Sequence, residues 1–418
     1  MRNKIVLDKI TVRNNLVLYD YHSNDDLSAF FRTNRLFIQY EEDVSQVPLS
    51  LLTIPFVNTM AGFSWLTDSV LFVDEIDTTF YESFKQLKRA YGELHRVLLK
   101  GMLVPSRFVD NSMEKNLDQS FLLFGGGVDC HSSFLRNRNT VSYLVNIYGW
   151  LHSVEERSNV DVSDAVRTKE YAQKMGVGAL HIRSNFASLF DLQRIDNKLC
   201  KPIARTSYWY GFLHPLAFLS ISCILAWKKG ISNLLIASSF TKDRSDVHCA
   251  SFITTDSEFR FAVNGCTIHD GFELNRQDKV KLLVDYQINS DSFYPIQACS
   301  FNDHNCCQCE KCFRTIIELV AENADPRDFG FNNVQGTLKQ HWSMIVARDI
   351  SQWSIQKENY YHYYAAKRMR ENYENFDGEK KEFVDWFLSF DFAKAKRKGL
   401  WKYYRKNIFR ILKRKLLS

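Results

Sequence analysis

Cys299 is followed by six residues and then by Cys306-Cys307-Gln308-Cys309-Glu310-Lys311-Cys312. Cys306, Cys309 and Cys312 stand at CxxCxxC spacing, with Cys299 upstream. Four thiolates complete a tetrahedral zinc shell, and closely spaced pairs reach a single ion. A disulfide pair, a redox thiol and an iron–sulfur cluster are the other readings of such a run. The N-terminus, Met-Arg-Asn-Lys-Ile-Val-Leu-Asp-Lys-Ile, carries charges where a signal peptide has an apolar run. A cytoplasmic, reducing location is therefore expected, which weighs against the disulfide. No CxxxCP follows, which weighs against the cluster. Structural zinc on Cys299, Cys306, Cys309 and Cys312 is the expectation, with Cys307 as a bystander.

A second stretch is Gln119-Ser-Phe-Leu-Leu-Phe-Gly-Gly-Gly-Val-Asp-Cys-His-Ser-Ser-Phe-Leu135. The apolar run to Phe124 predicts a short buried strand. Gly125, Gly126 and Gly127 make a tight turn, and a helix starts near Asp129 and Cys130. Glycine lets an anion approach the main chain closely. Free N–H groups and the positive end of a helix favour phosphate. A tight turn without ligand is the plainer alternative. Neither GxxxxGK[ST] nor GxGxxG is present. A thiol at a helix N-terminus has a lowered pKa, so Cys130 is also a candidate nucleophile. Its neighbour His131 is a poor partner, because adjacent helix positions point apart. His214 and His269 are candidate bases, against the commoner structural role of a lone histidine.

The elements that must position these residues fall into three stretches. Residues 1–115 predict a separate β-rich unit, with short strands at Ile5–Leu7, Leu16–Tyr21, Leu36–Tyr40 and Val70–Val73. A helix follows from about Thr79 to Leu99, and no catalytic constellation is visible. Residues 116–334 alternate. Val141–Tyr148, Leu180–Ile182 and Leu234–Ala237 read as strands. Asp161–Met175, Gly211–Trp227 and Asn275–Val284 read as helices. This order predicts a parallel sheet covered by helices, with ligands beyond the carboxyl ends of the strands. The Gly125 turn, Tyr148-Gly149, Ser184-Asn185 and Ser238-Ser239 then share one rim. The apolar stretch Phe212–Trp227 is shorter than the roughly 20 residues a membrane span needs and reads as a core helix. Residues 335–418 predict a helical, aromatic and basic extension.

With the elements in place, the motifs resemble a known family. The glycine turn resembles the PP-loop, Ser-Gly-Gly-x-Asp-Ser, of the ATP pyrophosphatase-like (adenine nucleotide alpha-hydrolase-like, HUP) superfamily. Gly126, Gly127 and Asp129 match. Gly125 and Cys130 replace the two serines and remove two hydroxyls. Cys309-Glu310-Lys311-Cys312-Phe313-Arg314-Thr315 resembles the C-terminal part of PP-loop-like proteins associated with surface-polysaccharide biosynthesis. A phosphate loop near the start and a four-cysteine site near the end are similar to the queuosine-precursor synthases. Tyr148-Gly149-Trp150, Asn185, Trp209–His214 and His269–Arg276 fall in the family's order. The resemblance covers about residues 1–330 and is most specific from 264 to 315.

The resemblance implies ATP with Mg2+, held by Gly125, Gly126, Gly127, Val128, Asp129, Cys130 and Ser133. Ser132 would lie on the same first turn. Tyr148 and Gly149 would lie near adenine. Asp129, in the loop, and Arg276 would be catalytic, and Arg276 and Lys279 would face the phosphates or the substrate. The reaction class would be adenylation with ligation or amide transfer on a small molecule, such as a sugar for surface polysaccharide. The alternatives are a catalytically degenerate nucleotide- or partner-binding protein, and a nucleobase- or tRNA-modifying enzyme.

The formal net charge of +6 does not by itself call for nucleic acid. The strong basic cluster is terminal: eleven Lys and Arg lie between Lys394 and Lys415. Trp401, Tyr404, Ile408, Ile411 and Leu412 recur there at helical spacing. A basic amphipathic helix of this kind can lie on an anionic membrane, bind an acidic partner or dock on its own domain. Peripheral attachment at the inner membrane face is the corresponding expectation. Substrate, nitrogen donor and oligomeric state stay open.

Overall fold

A computed structural model describes residues 3–116, 118–149, 159–244, 248–290, 295–299, 302–351, 353, 360–401 and 405. The chain forms two compact units, Met1–Leu274 and Asn275–Ser418.

The first unit is built on one sheet of eleven strands. They are β1 (Lys4–Arg13), β2 (Leu16–Ser23), β3 (Arg35–Gln39), β4 (Val70–Asp77), β5 (Met102–Val109), β6 (Ser120–Leu123), β7 (Val141–Tyr148), β8 (Gly178–Ser184), β9 (Asn233–Ala237), β10 (Arg260–Phe261) and β11 (Gly265–Asp270). Their order across the sheet is β10-β11-β9-β6-β7-β8-β3-β2-β1-β4-β5. β11, β9, β6, β7 and β8 run parallel, as do β1, β4 and β5. The pairing of β3 with β8 is antiparallel and joins the N-terminal strands to the rest. Residue 115, where a boundary was expected, thus lies within one continuous sheet. Every strand expected in 1–115 is present, and β5 is one that the sequence pattern did not reveal.

Two hydrogen bonds link the ends of the strands near the two edges of the sheet. Asp77, the last residue of β4, accepts a hydrogen bond from the N–H of Ala262, just past β10, at 3.0 Å. The N–H of Val263 donates to the carbonyl of Asn111, just past β5, at 3.0 Å. Two apolar helices pack on the sheet, Leu49–Thr67 against β1, β4 and β5, and His214–Lys228 against β9 and β11. They touch each other, and Asn58 Nδ2 donates to the carbonyl of Leu216 at 3.0 Å. Both are apolar on all faces, as a helix buried on all sides must be. With a π-helical turn in front, the second reaches 20 residues, Trp209–Lys228. By length and composition both are able to cross a membrane, but 89% and 78% of their apolar windows are buried in the fold. The core-helix expectation for Phe212–Trp227 therefore holds. The helix Leu49–Thr67 has no counterpart in the sequence reading, because an all-apolar helix containing Pro55 shows no 3.6-residue period.

On the other face, helix Val128–Arg136 covers β6 and β9, and helix Asn159–Met175 covers β7 and β8. These four strands are therefore sandwiched between helices, as the βα alternation predicted. β1 and β2 alternate buried and more open residues, as a strand with one covered face does.

The second unit is helical. Helices Arg276–Ile288, Glu310–Ala321, Leu338–Asp349, Tyr360–Glu371 and Gly378–Ser389 surround an aromatic core. Phe313 sits at its centre, with ring centroids 4.8 Å from Trp342 and 5.3 Å from Trp353. Residues beyond 334 thus pack directly on the cysteine-bearing helix. In the basic tail only residues up to 401, and residue 405, are described. Tyr404, Ile408, Ile411 and Leu412, and so the amphipathic stripe, lie outside the described residues, as does Trp150.

Candidate metal centre and glycine turn

The cysteine cluster begins with a loop, and one side chain shapes it. Asn305 is buried. Its Oδ1 accepts from the N–H groups of Ala298 at 2.8 Å and Cys299 at 3.2 Å. Its Nδ2 donates to the carbonyls of Ile296 at 2.8 Å and Gly330 at 3.1 Å. Asn305 therefore holds Cys299 against the later cysteines. Cys307 takes a left-handed conformation, φ 52°, and turns the chain between Cys306 and Cys309. Its own sulfur points to the carbonyl of Asn305 at 3.6 Å, away from the cluster, as expected for a bystander. Cys309 caps helix Glu310–Ala321 and accepts from the N–H of Cys312 at 3.5 Å.

The sulfurs of Cys299, Cys306, Cys309 and Cys312 all lie within 4.8 Å of one another. Individual separations are 3.5 Å for Cys299–Cys306, 3.9 Å for Cys306–Cys312 and 4.0 Å for Cys299–Cys309. A tetrahedral shell with Zn–S of about 2.3 Å sets its sulfurs about 3.8 Å apart. The four cysteines can therefore hold one structural metal such as zinc, and four protein ligands leave it no open position. Hydrogen bonding from the neighbouring Cys312 side chain pulls the Cys309 thiol down to about 5, toward the thiolate that a metal ligand must be. Burial pushes the Cys307 thiol up to about 11.

The glycine turn lies in the first unit. Gly126 has φ 74°, a conformation that favours glycine. Gly127 is the N-cap of helix Val128–Arg136 and, as a glycine, offers no side-chain cap of its own. In the strand order, β7 and β8 lie to one side of β6 and β9 lies to the other. The connection reverses direction between β6 and β9, and such switch points form crevices at the carboxyl ends of strands. The Gly125 turn stands at that point. Tyr148-Gly149, Ser184-Asn185 and Ser238-Ser239 end the neighbouring parallel strands on the same rim, as expected.

Side chains on this rim depart from the phosphate-binding roles the resemblance implied. Ser133 Oγ donates to Asp270 Oδ2 at 2.7 Å. Arg136 pairs with the same carboxylate at 3.3 Å and also with Glu273. Asn185 bridges to β3, accepting from the N–H of Phe37 at 2.9 Å and donating to the carbonyl of Arg35 at 3.1 Å. Val128 is buried, so only its main chain faces the turn. Asp129 is in the first helical turn. Gly149 has φ 75°, and a Cβ there would stand 3.1 Å from Arg183 Cγ. Burial pushes the Cys130 thiol up to about 12, which outweighs the N–H groups of the turn and is opposite to an activated nucleophile. Burial lowers His131 to about 4, and its Nδ1 meets the carbonyl of Gly127 at 3.0 Å.

The remaining candidates are engaged elsewhere. Arg276 belongs to the second unit. Its Nε bonds Glu318 at 3.0 Å and its Nη2 bonds Thr315 at 3.4 Å, which ties two helices together. Lys279 is buried. His214 Nδ1 meets the carbonyl of Trp209 at 2.8 Å. His269 Nδ1 pairs with Asp256 at 2.8 Å. Asn305, Asp270 and Asn146 escaped the sequence reading. Asn146 Nδ2 donates to the carbonyl of Phe124, at the root of the glycine turn, at 3.1 Å. Asp270 meets partners more than 130 residues away, Asn146 bonds a residue 22 positions earlier, and Asn305 folds its own loop around itself, so no local pattern marks them.

Compared with known proteins, the chain matches no family model and no curated sequence.

Proposed function

We propose that this chain is an ATP-binding protein of PP-loop type that adenylates a small molecule, with a zinc ion as structural support. The observation that carries the reading is the glycine turn at the switch point between β6 and β9, leading into a helix whose N-cap is itself a glycine. There the main-chain N–H groups and the helix dipole would hold the polyphosphate of an ATP–Mg complex. A substrate oxygen would attack the α-phosphate, pyrophosphate would leave, and a second nucleophile would displace AMP. The protein's part is positioning and charge stabilisation. Zinc on Cys299, Cys306, Cys309 and Cys312 takes no part in the chemistry.

A second reading is favoured by a specific observation. With Cys130 in place of serine, a buried, protonated thiol lies against the turn, and Ser133 is bound to Asp270. A protein with this turn binds nucleotide or a partner without turning it over. The experiment is calorimetric titration with ATP–Mg of wild type and Asp129→Ala, alongside zinc content and ATP/pyrophosphate exchange. Asp129-dependent binding with exchange in the presence of a candidate substrate supports the enzyme. Binding without exchange supports nucleotide binding without turnover, and no ATP binding overturns the enzyme and leaves the second reading only its partner-binding form.

A further inference from the structure

The four cysteines of the metal centre are not equivalent. Cys299 and Cys312 are 5% and 0% exposed. Cys306 and Cys309 are only partly covered, and both line a cleft of about 810 Å³. Apart from Val334 the other walls of the cleft are polar and include Asn302, His304, Gln308, Asn333 and Arg348. Such a wall admits water and small polar solutes. Cys306 and Cys309 are also a CxxC pair, with sulfurs within 4.8 Å of each other.

We propose that Cys306 and Cys309 form a reactive face of the metal centre, open through this cleft to hydroperoxides and other soft electrophiles. The inference rests on the metal-centre reading above and adds a modification site to it. Thiolate character and access govern cysteine oxidation, and metal binding keeps all four sulfurs as thiolates. Access is what separates the two pairs. One cleft-facing thiolate attacks a peroxide oxygen, the O–O bond breaks, and water (or an alcohol) leaves after taking a proton. The resulting sulfenic acid is attacked by the second thiolate. An S–S bond forms and the sulfenic oxygen departs as water with a second proton. The two thiolates lose two electrons and the hydroperoxide gains them. The metal then keeps only Cys299 and Cys312 and is released.

Cys307 is the internal control. It adjoins Cys306 in sequence, yet it is fully buried and bonded to the carbonyl of Asn305. It should stay unmodified until the metal has left.

The test uses the full-length zinc-loaded chain, whose zinc content is measured first. Iodoacetamide labelling is followed by peptide mass spectrometry, and zinc release under hydrogen peroxide is followed with a chromogenic chelator. Cys306 and Cys309 should label about ten-fold faster than Cys299, Cys312 or Cys307, in proportion to access. Peroxide should yield a Cys306–Cys309 disulfide in step with zinc release. Gln308→Trp, which narrows the cleft, replaces no ligand and keeps the main-chain N–H that bonds the Cys306 sulfur, should slow both several-fold. Equal labelling of all four cysteines, first attack at Cys299 or Cys312, or zinc release without that disulfide would overturn the proposal. A chain that purifies without metal and binds none on titration with zinc would overturn the metal-centre reading itself.

Discussion

At the scale of single residues, Asn305 shapes the loop that brings Cys299 to the other three cysteines. Its carboxamide satisfies two N–H groups and two carbonyls. Asn305→Leu leaves those buried groups unpaired, and each such loss costs about 1–3 kcal/mol. The variant should unfold at distinctly lower denaturant and lose zinc to a chelator faster than wild type. Wild-type retention of zinc would contradict the assignment. His131 offers a pH test. Its folded pKa is about 4 against an ordinary 6.5, through burial between Phe124 and Tyr171. The unfolded chain therefore binds the proton first. The stability His131 leaves intact is fully present above about pH 6.5, and it is lost as pH falls toward 4. The loss approaches roughly 3 kcal/mol once both states are protonated. Urea titrations at pH 7 and pH 5 should show this slope in wild type and a shallower one in His131→Phe.

At the scale of elements, the strand–turn–helix unit around Gly125 can be tested by restoring the motif it resembles. A Cβ at Gly125 meets nothing within 4 Å, so a serine there is accommodated. Cys130→Ser is close to isosteric. The double variant Gly125→Ser/Cys130→Ser should fold with a near-wild-type melting temperature and bind ATP–Mg more tightly, by about ten-fold for two added hydroxyl contacts. Unchanged affinity in calorimetry would show that the turn does not hold phosphate through those positions. Gly126→Ala is the opposite case. Its φ of 74° costs a non-glycine residue about 1–2 kcal/mol. The edge strand β5 illustrates another constraint on an element. Met102, Val104 and Phe108 are exposed along it. The N–H of Met102 turns inward to the carbonyl of Ser69, so alternation turns Pro105 outward. A proline without N–H on the free edge discourages a further strand from adding there.

At the scale of the whole molecule, the metal centre and the aromatic core of the second unit are one construction. Cys309 caps the helix, Cys312 lies in its first turn, and Phe313 enters the core beside Trp342. Folding free energy of such a unit is coupled to metal binding. Removal of metal by a chelator should abolish hydrogen-exchange protection in Glu310–Ala321 and Leu338–Asp349. Protection in β6, β7 and β9 of the first unit should persist. Loss of protection in both sets at once would refute that separation.

The alternation of short apolar runs with helical periods was legible in the sequence from Phe121 to Ala237, because each strand and helix carries its own local pattern. Val141–Tyr148 is a strand to the residue. The CxxCxxC spacing with Cys299 was likewise enough to assemble four sulfurs around one point. The sequence by itself determined which four sulfurs can hold a metal and the parallel strands that present the glycine turn. Only the tertiary structure decided that the N-terminal strands extend the same sheet, since a β3–β8 pairing across some 145 residues leaves no local trace. It alone decided that Leu49–Thr67 is a helix, because burial on every side erases the amphipathic period that would announce it. It also decided what Ser133 and Arg276 do: a hydroxyl meets Asp270, and a guanidinium meets Glu318, because folding brought distant carboxylates to them.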